Sequence, residues 1–482
     1  MCCIISSSPP TTLLAVRHPS PPKPDLAERA IELSESFFFN NLRAISWQAS
    51  NVCQAMTDSS STKVALGVAA AVLGCALYRQ KNPTAAPTKP TINHKWKAGM
   101  EYTTDADVDQ QSRVMSDDLD AFAVAMFQHF GVTEEHAKMA ADVLGLANLR
   151  GVDSHGIARL FTYYELLKEK KINPTPNIRE IRGQGRSVGT IDGDNGLGLI
   201  VGPVANRIAM EKAEVHGSGF VSVCNTNHFG IAGYYPIEAL KRDMIGMAMT
   251  NTTKLVAPCF GVERMLGTNP IAIAFPSSDP AAPIVIDMAT SVVAYGKVEE
   301  YKRSSKTMPD GYCITPEGHP EHSPVDMQQR AGSLLTIGAT RKLGQHKGYC
   351  LSAMVDILCA VLSGANWGPF CPPFSLRGGV NAETTYKGKE RPGKGIGHFF
   401  GAYKIEDFRD VDEFKSEIDD WISVFRSTDA EPGKAVMIPG DPELVMYKKR
   451  VVEGIPIKPA VEEKMRIISS EIGIALPTGI AL

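Results

Sequence analysis

VSVCNTNHFGIAGYY, residues Val221 to Tyr235, is the stretch whose reading decides the architecture. It opens apolar and β-branched, like the end of a buried strand. It then turns polar through Asn225, Thr226 and Asn227, reaches His228 and breaks at Gly230. A strand that ends this way puts an imidazole at the rim of a sheet, among small polar neighbours. Loops on a rigid scaffold commonly carry chemistry. An imidazole titrates near neutral pH and can give or take a proton there. The same letters also suit a histidine that merely caps the next helix or closes a turn.

On either side, strand and helix patterns alternate. Val188–Ile191 reads as a strand, Leu199–His216 as a helix, Gly219–Cys224 as a strand, Ile231–Arg242 as a helix and Ile245–Thr250 as a strand. This is an α/β pattern with buried strands. Upstream, Ser116 and Thr133 suit helix N-caps, and Leu119, Phe122, Met126, Phe127 and Phe130 recur at helical spacing. Gly151 then breaks the pattern in RGVDSHGIARL, residues Arg150–Leu160. Asp153 or Ser154 would cap a further helix running from Ile157 to Leu167. His155 and Arg159 are four apart, which on a helical turn places them on one face. A guanidinium beside an imidazole is awkward unless both serve an anion, and its fork matches a carboxylate. On spacing alone, a capping serine followed by a surface histidine and arginine is the stronger reading.

Downstream, Gly267-Thr268-Asn269-Pro270 reads as a turn before the strand Ile271–Phe275, with an amide at Asn269 that could reach a ligand. Ile284–Thr290, IVIDMAT, ends a strand on Asp287, where a carboxylate can orient a histidine or bind a ribose hydroxyl. GQHKGY opens a helix over Cys350–Leu362 with Lys347 in its first turn. A cation at that electropositive end is easier to explain if an anion such as a pyrophosphate docks there. Pro439-Gly440-Asp441-Pro442 reads as a turn between a strand and a helix. Residues Pro369–Gly397 read as a long Gly/Pro-rich loop, and Pro459–Ile472 as the last helix.

The formal net charge of −3 gives no basic field for nucleic acid, and 43% hydrophobic with 21% charged residues is ordinary for a globular protein. Ten cysteines without a CxxC pair read as free thiols in a reducing compartment. Residues 1–111 differ from the rest. They carry Ser/Pro stretches and an apolar run, Val64–Tyr78, shorter than the ~20 residues of a spanning helix. That run is expected to be a membrane anchor or part of a targeting segment for an organelle such as the mitochondrion, with a small-residue helix of no membrane role as the alternative. A cytoplasmic enzyme would result if the extension is removed. Residues 112–482 would form the catalytic unit. There is no G-x-G-x-x-G after a strand, no zinc spacing, no H-E-x-x-H and no G-x-S-x-G elbow.

Six blocks in order, RGVDSHGIARL, NTNHFGIAGYY, LGTNPIAIAFP, VIDMATSVVAYGKVEEY, HKGYCLSAMVDIL and IPGDPE, resemble the malate/L-lactate dehydrogenase family with the non-Rossmann nicotinamide fold. The resemblance covers about Ser112 to Gly473. It implies a mixed α/β sheet domain that binds the nicotinamide, with a helical, discontinuous second domain. It implies hydride transfer between NAD, or NADP, and a small 2-hydroxy or 2-oxo acid, malate or lactate above all, in a homodimer with sites near the subunit interface. By the resemblance His228 is the proton carrier, with His155 as its rival, and Ser154, His155, Arg159 and Asn269 line the substrate. Thr252, Asp287, Met288, Ala289, His346, Lys347, Gly440 and Asp441 would contact the cofactor, and no metal is implied. Gln345 and Cys350 depart from the small residues usual in the lysine block. Two alternatives stay open: an imine reductase acting on a cyclic 2-carboxylate imine, and an inactive membrane-tethered scaffold of the same fold.

Overall fold

The computed structural model describes residues 112–373, 384–391 and 394–480. The apolar run 64–78 and the rest of the N-terminal extension lie outside them. Among the described residues no helix is long and apolar enough to cross a membrane.

A short strand, β1 (Ser112–Val114), leads into helices α1 (Ser116–His129), α2 (Glu134–Leu149) and α3 (Leu160–Lys168). Asp117 and Asp118 occupy the first turn of α1, and the Thr133 hydroxyl accepts from the His136 amide to cap α2. The helix expected over Ile157–Leu167 starts later. Two 3₁₀ turns, Asp153–His155 and Ile157–Arg159, come first, and neither has a side-chain cap. Asp153 is taken by another partner, described below.

Seven strands form the central sheet: β2 (Arg179–Arg182), β3 (Val188–Gly196), β4 (Ser218–Thr226), β5 (Met244–Thr250), β6 (Ile271–Phe275), β7 (Ile284–Met288) and β13 (Ile396–Lys404). Their order is β2-β3-β4-β13-β5-β6-β7. The β3/β4 pair is parallel and the other five are antiparallel. The crossover from β3 to β4 is made by α4 (Gly198–His216), and α5 (Tyr234–Leu240) leads from the His228 loop to β5. Sequence reading assigned no strand to residues 396–404. They form the middle of the sheet, entering between β4 and β5 from far along the chain.

The main core buries Phe127, Tyr163, Tyr164, Phe229, Tyr235 and Phe400 between the sheet and α1–α5. Each such side chain contributes ~1.5–3 kcal/mol relative to exposure. A second core of Val256, Leu266, Val298, Met308, Cys313, Met327 and Leu334 lies apart from it. Around it are α6 (Tyr295–Arg303), α7 (Pro324–Gln329) and the small sheet of β8 (Cys313–Ile314), β9 (Pro320–Glu321) and β10 (Ser333–Leu334). Helix α8 (Gln345–Asp356) widens into a π-helical turn, Ile357–Val361. β11 (Thr384–Tyr386) and β12 (Lys389–Arg391) make a hairpin within the stretch read as a loop. Helices α9 (Val411–Arg426), α10 (Asp441–Glu453) and α11 (Pro459–Ile472) complete the unit, and β14 (Ile455–Ile457) pairs with β1.

Candidate active site

The loop after β4 is fastened from below. Gly198, at the start of α4, has no Cβ, and any Cβ there would collide with the backbone oxygens of Asn227 and His228. Asn227 is buried and donates to the Gly196 carbonyl at 2.9 Å. Asn225, at φ 58°, donates to Asp192 at 2.9 Å. The next residue, Phe229, is buried and stacks on His398 of β13, centroids 4.6 Å apart at 15°. The Tyr235 hydroxyl donates to the Phe229 carbonyl. His228 therefore sits at the sheet rim as expected, with its backbone fixed on both sides.

Above this rim lie the two 3₁₀ turns. The ring of His155 stacks on that of His228, centroids 5.5 Å apart and 22° between planes. Ser154 Oγ is 2.9 Å from His155 Nδ1, and Arg159 Nε donates to the Ser154 carbonyl at 2.7 Å. Ser154, His155, Arg159 and His228 thus converge within one chain. Both rings are half-buried. Burial, and then the neighbouring Arg159 cation, push His155 down to about 4. His228 is held well below the usual imidazole range by burial, then by His155, Arg159 and His398.

Three further residues support the site and escaped the sequence reading. Tyr163, on α3 and fully buried, places its Oη 2.8 Å from His228 Nδ1. It lies four residues after Arg159, and that spacing was the available signal. Asn148 accepts from the Ile157 amide at 2.7 Å and donates to Asp153 at 3.0 Å. Arg450 of α10 reaches back 297 positions to grip Asp153 with two bonds of 2.6 and 2.9 Å. This fork, not a helix cap, is what holds Asp153.

The expected cofactor residues form a second group. Asp287, at the end of β7, accepts from the Gly233 amide at 2.7 Å and so ties β7 to the loop that follows His228. Water reaches its side chain, but protein surrounds it on the remaining sides. Burial raises its carboxyl to about 6; the Gly233 amide and Arg150 oppose the rise, and Glu443 adds to it. Met288 is exposed and Ala289 half-buried beside it. Just beyond β7, the Ile337 amide donates to Thr290 at 3.0 Å, and Thr336 Oγ1 donates to the Gln345 carbonyl at 3.0 Å. These bonds seat the first turn of α8 beside the end of β7. Gly344 precedes that turn at φ 97° without a side-chain cap. His346 Nδ1 accepts from Arg341 at 2.7 Å, and Lys347 is exposed with no ion pair among the described residues. A dinucleotide's pyrophosphate would suit an uncapped helix start carrying one cation without an ion pair. Gly440 takes φ 100° and lies against Val285 of β7, whose amide donates to Pro439 at 3.1 Å.

Three of the expected ligand residues are occupied by the protein. Asn269 is fully buried, at φ 40°, with its amide donating to the Ser352 carbonyl at 3.0 Å. Its Nδ2 fastens α8 to the start of β6, while its Oδ1 has no partner among the described residues. Asp441 is buried and accepts from Arg426 at 2.8 Å and from the Ile438 amide at 2.9 Å. Both of its oxygens are engaged in fastening the turn. Thr252 Oγ1 accepts from the Thr268 amide at 3.3 Å.

A family model described as malate/L-lactate dehydrogenase matches residues 114–466. Malate dehydrogenase from Pyrococcus horikoshii is 41% identical over 364 residues, covering 75% of this chain and 96% of that protein. L-sulfolactate dehydrogenase from Methanocaldococcus jannaschii is 35% identical, covering 73% and 94%. Among solved structures, the malate dehydrogenase of Entamoeba histolytica aligns with a TM-score of 0.70 at 35% identity, over 76% of this chain and all of that one.

Proposed function

This chain belongs to the malate/L-lactate dehydrogenase family and is an oxidoreductase acting on a 2-hydroxy acid with a nicotinamide cofactor, and we propose that it interconverts malate and its 2-oxo acid, with NAD preferred. The observation that carries the reading is the stacked pair His155/His228 with the Arg159 guanidinium close enough to depress both rings.

Oxidising a hydroxy acid requires removing the hydroxyl proton while a hydride leaves the same carbon. Arg159 would bind the substrate carboxylate with its fork and so aim the reacting carbon. Pairing that cation has a second effect. Burial is the larger cause of the lowering, but the part that comes from this charge is compensated, so their proton affinity rises once the acid is in place. The histidine pair then receives the hydroxyl proton. The nicotinamide, when bound, accepts the hydride. Lys347 and the uncapped start of α8 would hold its pyrophosphate, with Asp287 and Met288 beside it. The name of the Pyrococcus relative favours malate over sulfolactate, since identity to it is higher.

We also read the active form as a homodimer. Met354, Ile357, Val361 and Leu362 expose an apolar flank at helical spacing along α8 and its π turn, from 39% to 58% open. Light scattering should return twice the chain mass, and a monomer at working concentration would remove this part. The activity is tested by following reduced nicotinamide with malate, lactate, sulfolactate and a cyclic imine carboxylate, each with both cofactors. Malate with NAD should turn over fastest. Fastest turnover of the imine would reassign the substrate.

A further inference from the structure

A glycine inside a helix weakens it relative to alanine and is kept where room is needed. Among the described residues every glycine but one either takes a positive φ or lies where a Cβ would come within 3.0 Å of another atom. The exception is Gly296, in the first turn of α6. A Cβ there would meet only Ser154 Cβ, at 3.5 Å, which is an ordinary contact. Neither the backbone nor the packing of the protein asks for a glycine at this position. Ser154 belongs to the 3₁₀ turn that carries His155, and its Oγ is 2.9 Å from His155 Nδ1. Gly296 is half-buried, so the room in front of its bare Cα opens beside that turn. The helix is held in place there. Val298 is buried in the second core, Tyr295 and Tyr301 pack against it, and the Val292 amide ties the lead-in segment to the Leu335 carbonyl at 2.9 Å.

We propose that Gly296 is a specificity-determining residue: its bare Cα leaves room, between the first turn of α6 and Ser154, for the substituent that distinguishes malate from lactate. The inference rests on the dehydrogenase reading above and deepens it by naming what selects the acid. Both acids share the reacting part, a carboxylate for the Arg159 fork and a hydroxyl for the imidazoles. They differ at the next carbon, which is a methyl in lactate and a methylene bearing a second carboxylate in malate. Discrimination between them has to come from the space beyond the reacting carbon, where pocket walls select by size. A methyl group at position 296 would take up part of that space, and the longer acid would meet it first.

Gly296→Ala in the full-length protein, with malate and lactate as paired substrates, is the test. kcat/KM for malate should fall by about 10–200-fold, the range for one methylene in a pocket, while that for lactate stays within about threefold. The cofactor KM should not move, and the melting temperature should hold or rise, because alanine is the better helix former. A mere disturbance of the Ser154 turn would slow both acids alike, since both use His155 and Arg159. An unchanged ratio of malate to lactate, or an equal loss for both, overturns the proposal. A rise in the cofactor KM alone would give the room to the dinucleotide and overturn it too. Binding separates this inference from the reading beneath it. Malate and reduced nicotinamide cannot react with each other. Together they should raise the melting temperature of the unmodified protein, and that of Gly296→Ala by less at the same malate concentration. If the unmodified enzyme turned over neither acid, the dehydrogenase reading would fail, whereas equal melting shifts in the two proteins would overturn the role of Gly296 by themselves.

Discussion

The proton end and the cofactor end of this site are built in opposite ways. Around His228 the protein supplies its own partners. Gly198 admits the backbone, Asn227 and Tyr235 hold the loop, Phe229 stacks on His398, and Tyr163 meets the ring. Around the start of α8 the partners are incomplete. The helix is uncapped, and Lys347 stands exposed with no ion pair among the described residues. On the proposed reading, proton transfer is prepared by the fold, whereas the phosphate end is completed by what binds to it. Preorganised donors and charges cost little rearrangement at the moment of reaction. A surface cation waiting for an anion adds charge without specifying chemistry.

The contrast can be broken most forcefully at Arg450, which is buried and forks onto Asp153. Arg450→Ala should lower stability by about 3 kcal/mol, the lower end for a broken buried pair, since Asp153 keeps a third of its side-chain surface in water. Thermal melts check this, and with the two 3₁₀ turns loosened activity should fall as well. An unchanged melting temperature would mean that the turns stand without their clamp. Next comes Arg159→Lys. Loss of the fork should raise the acid KM about 10–100-fold, from ~1.5–3 kcal/mol of charged hydrogen bonding. An unchanged KM would place the carboxylate elsewhere. Lys347→Ala sharpens the other side of the comparison. It should raise the cofactor KM several-fold, more at low salt than at high, and leave both the acid KM and the melting temperature alone.

The last effect concerns pH and a carboxyl on α1. Burial, then Asp142 and Asp117, raises Asp120 to about 7. A carboxyl raised in the folded state favours the protonated form there, so its contribution is full below the unfolded value near 4 and is lost as pH climbs through 7. Asp120→Asn should therefore raise the melting temperature at pH 8 and make little difference below pH 4. His155, lowered to about 4, works with the opposite sign. Its contribution is complete above the unfolded value near 6.5 and falls away as pH drops from there towards 4. Equal melting temperatures for Asp120→Asn and the unmodified protein at pH 8 would show that the carboxyl is adequately solvated.

Much of this was legible because the motif blocks are local. The strand into His228, the helix after β3, the strand before Asp287 and the last helix lie within a few residues of where periodicity placed them. What escaped was long-range. IGHFFGAYK carries two glycines, which weaken a strand signal. Gly397 is bare because the Cys359 carbonyl lies against it, and Gly401 because the Phe220 ring does. The residues that hid β13 are the ones that let neighbours close on it. Tyr163 lay unremarked inside the helix expected over Ile157–Leu167, and nothing near Asp153 in sequence announces Arg450. Asn269 and Asp441 show the converse: the turn residues read as available side chains already have protein partners. A polar residue in a turn looks available until the fold supplies its partners.

The most direct measurement is stopped-flow formation of reduced nicotinamide by the full-length protein with malate, comparing unmodified enzyme with His228→Gln and Arg159→Lys. The account predicts turnover by the unmodified chain, a collapse of kcat in the first variant and a rise in KM in the second. Folded, cofactor-binding protein that oxidises no 2-hydroxy acid, or turns malate over equally well without that imidazole and that fork, would contradict it.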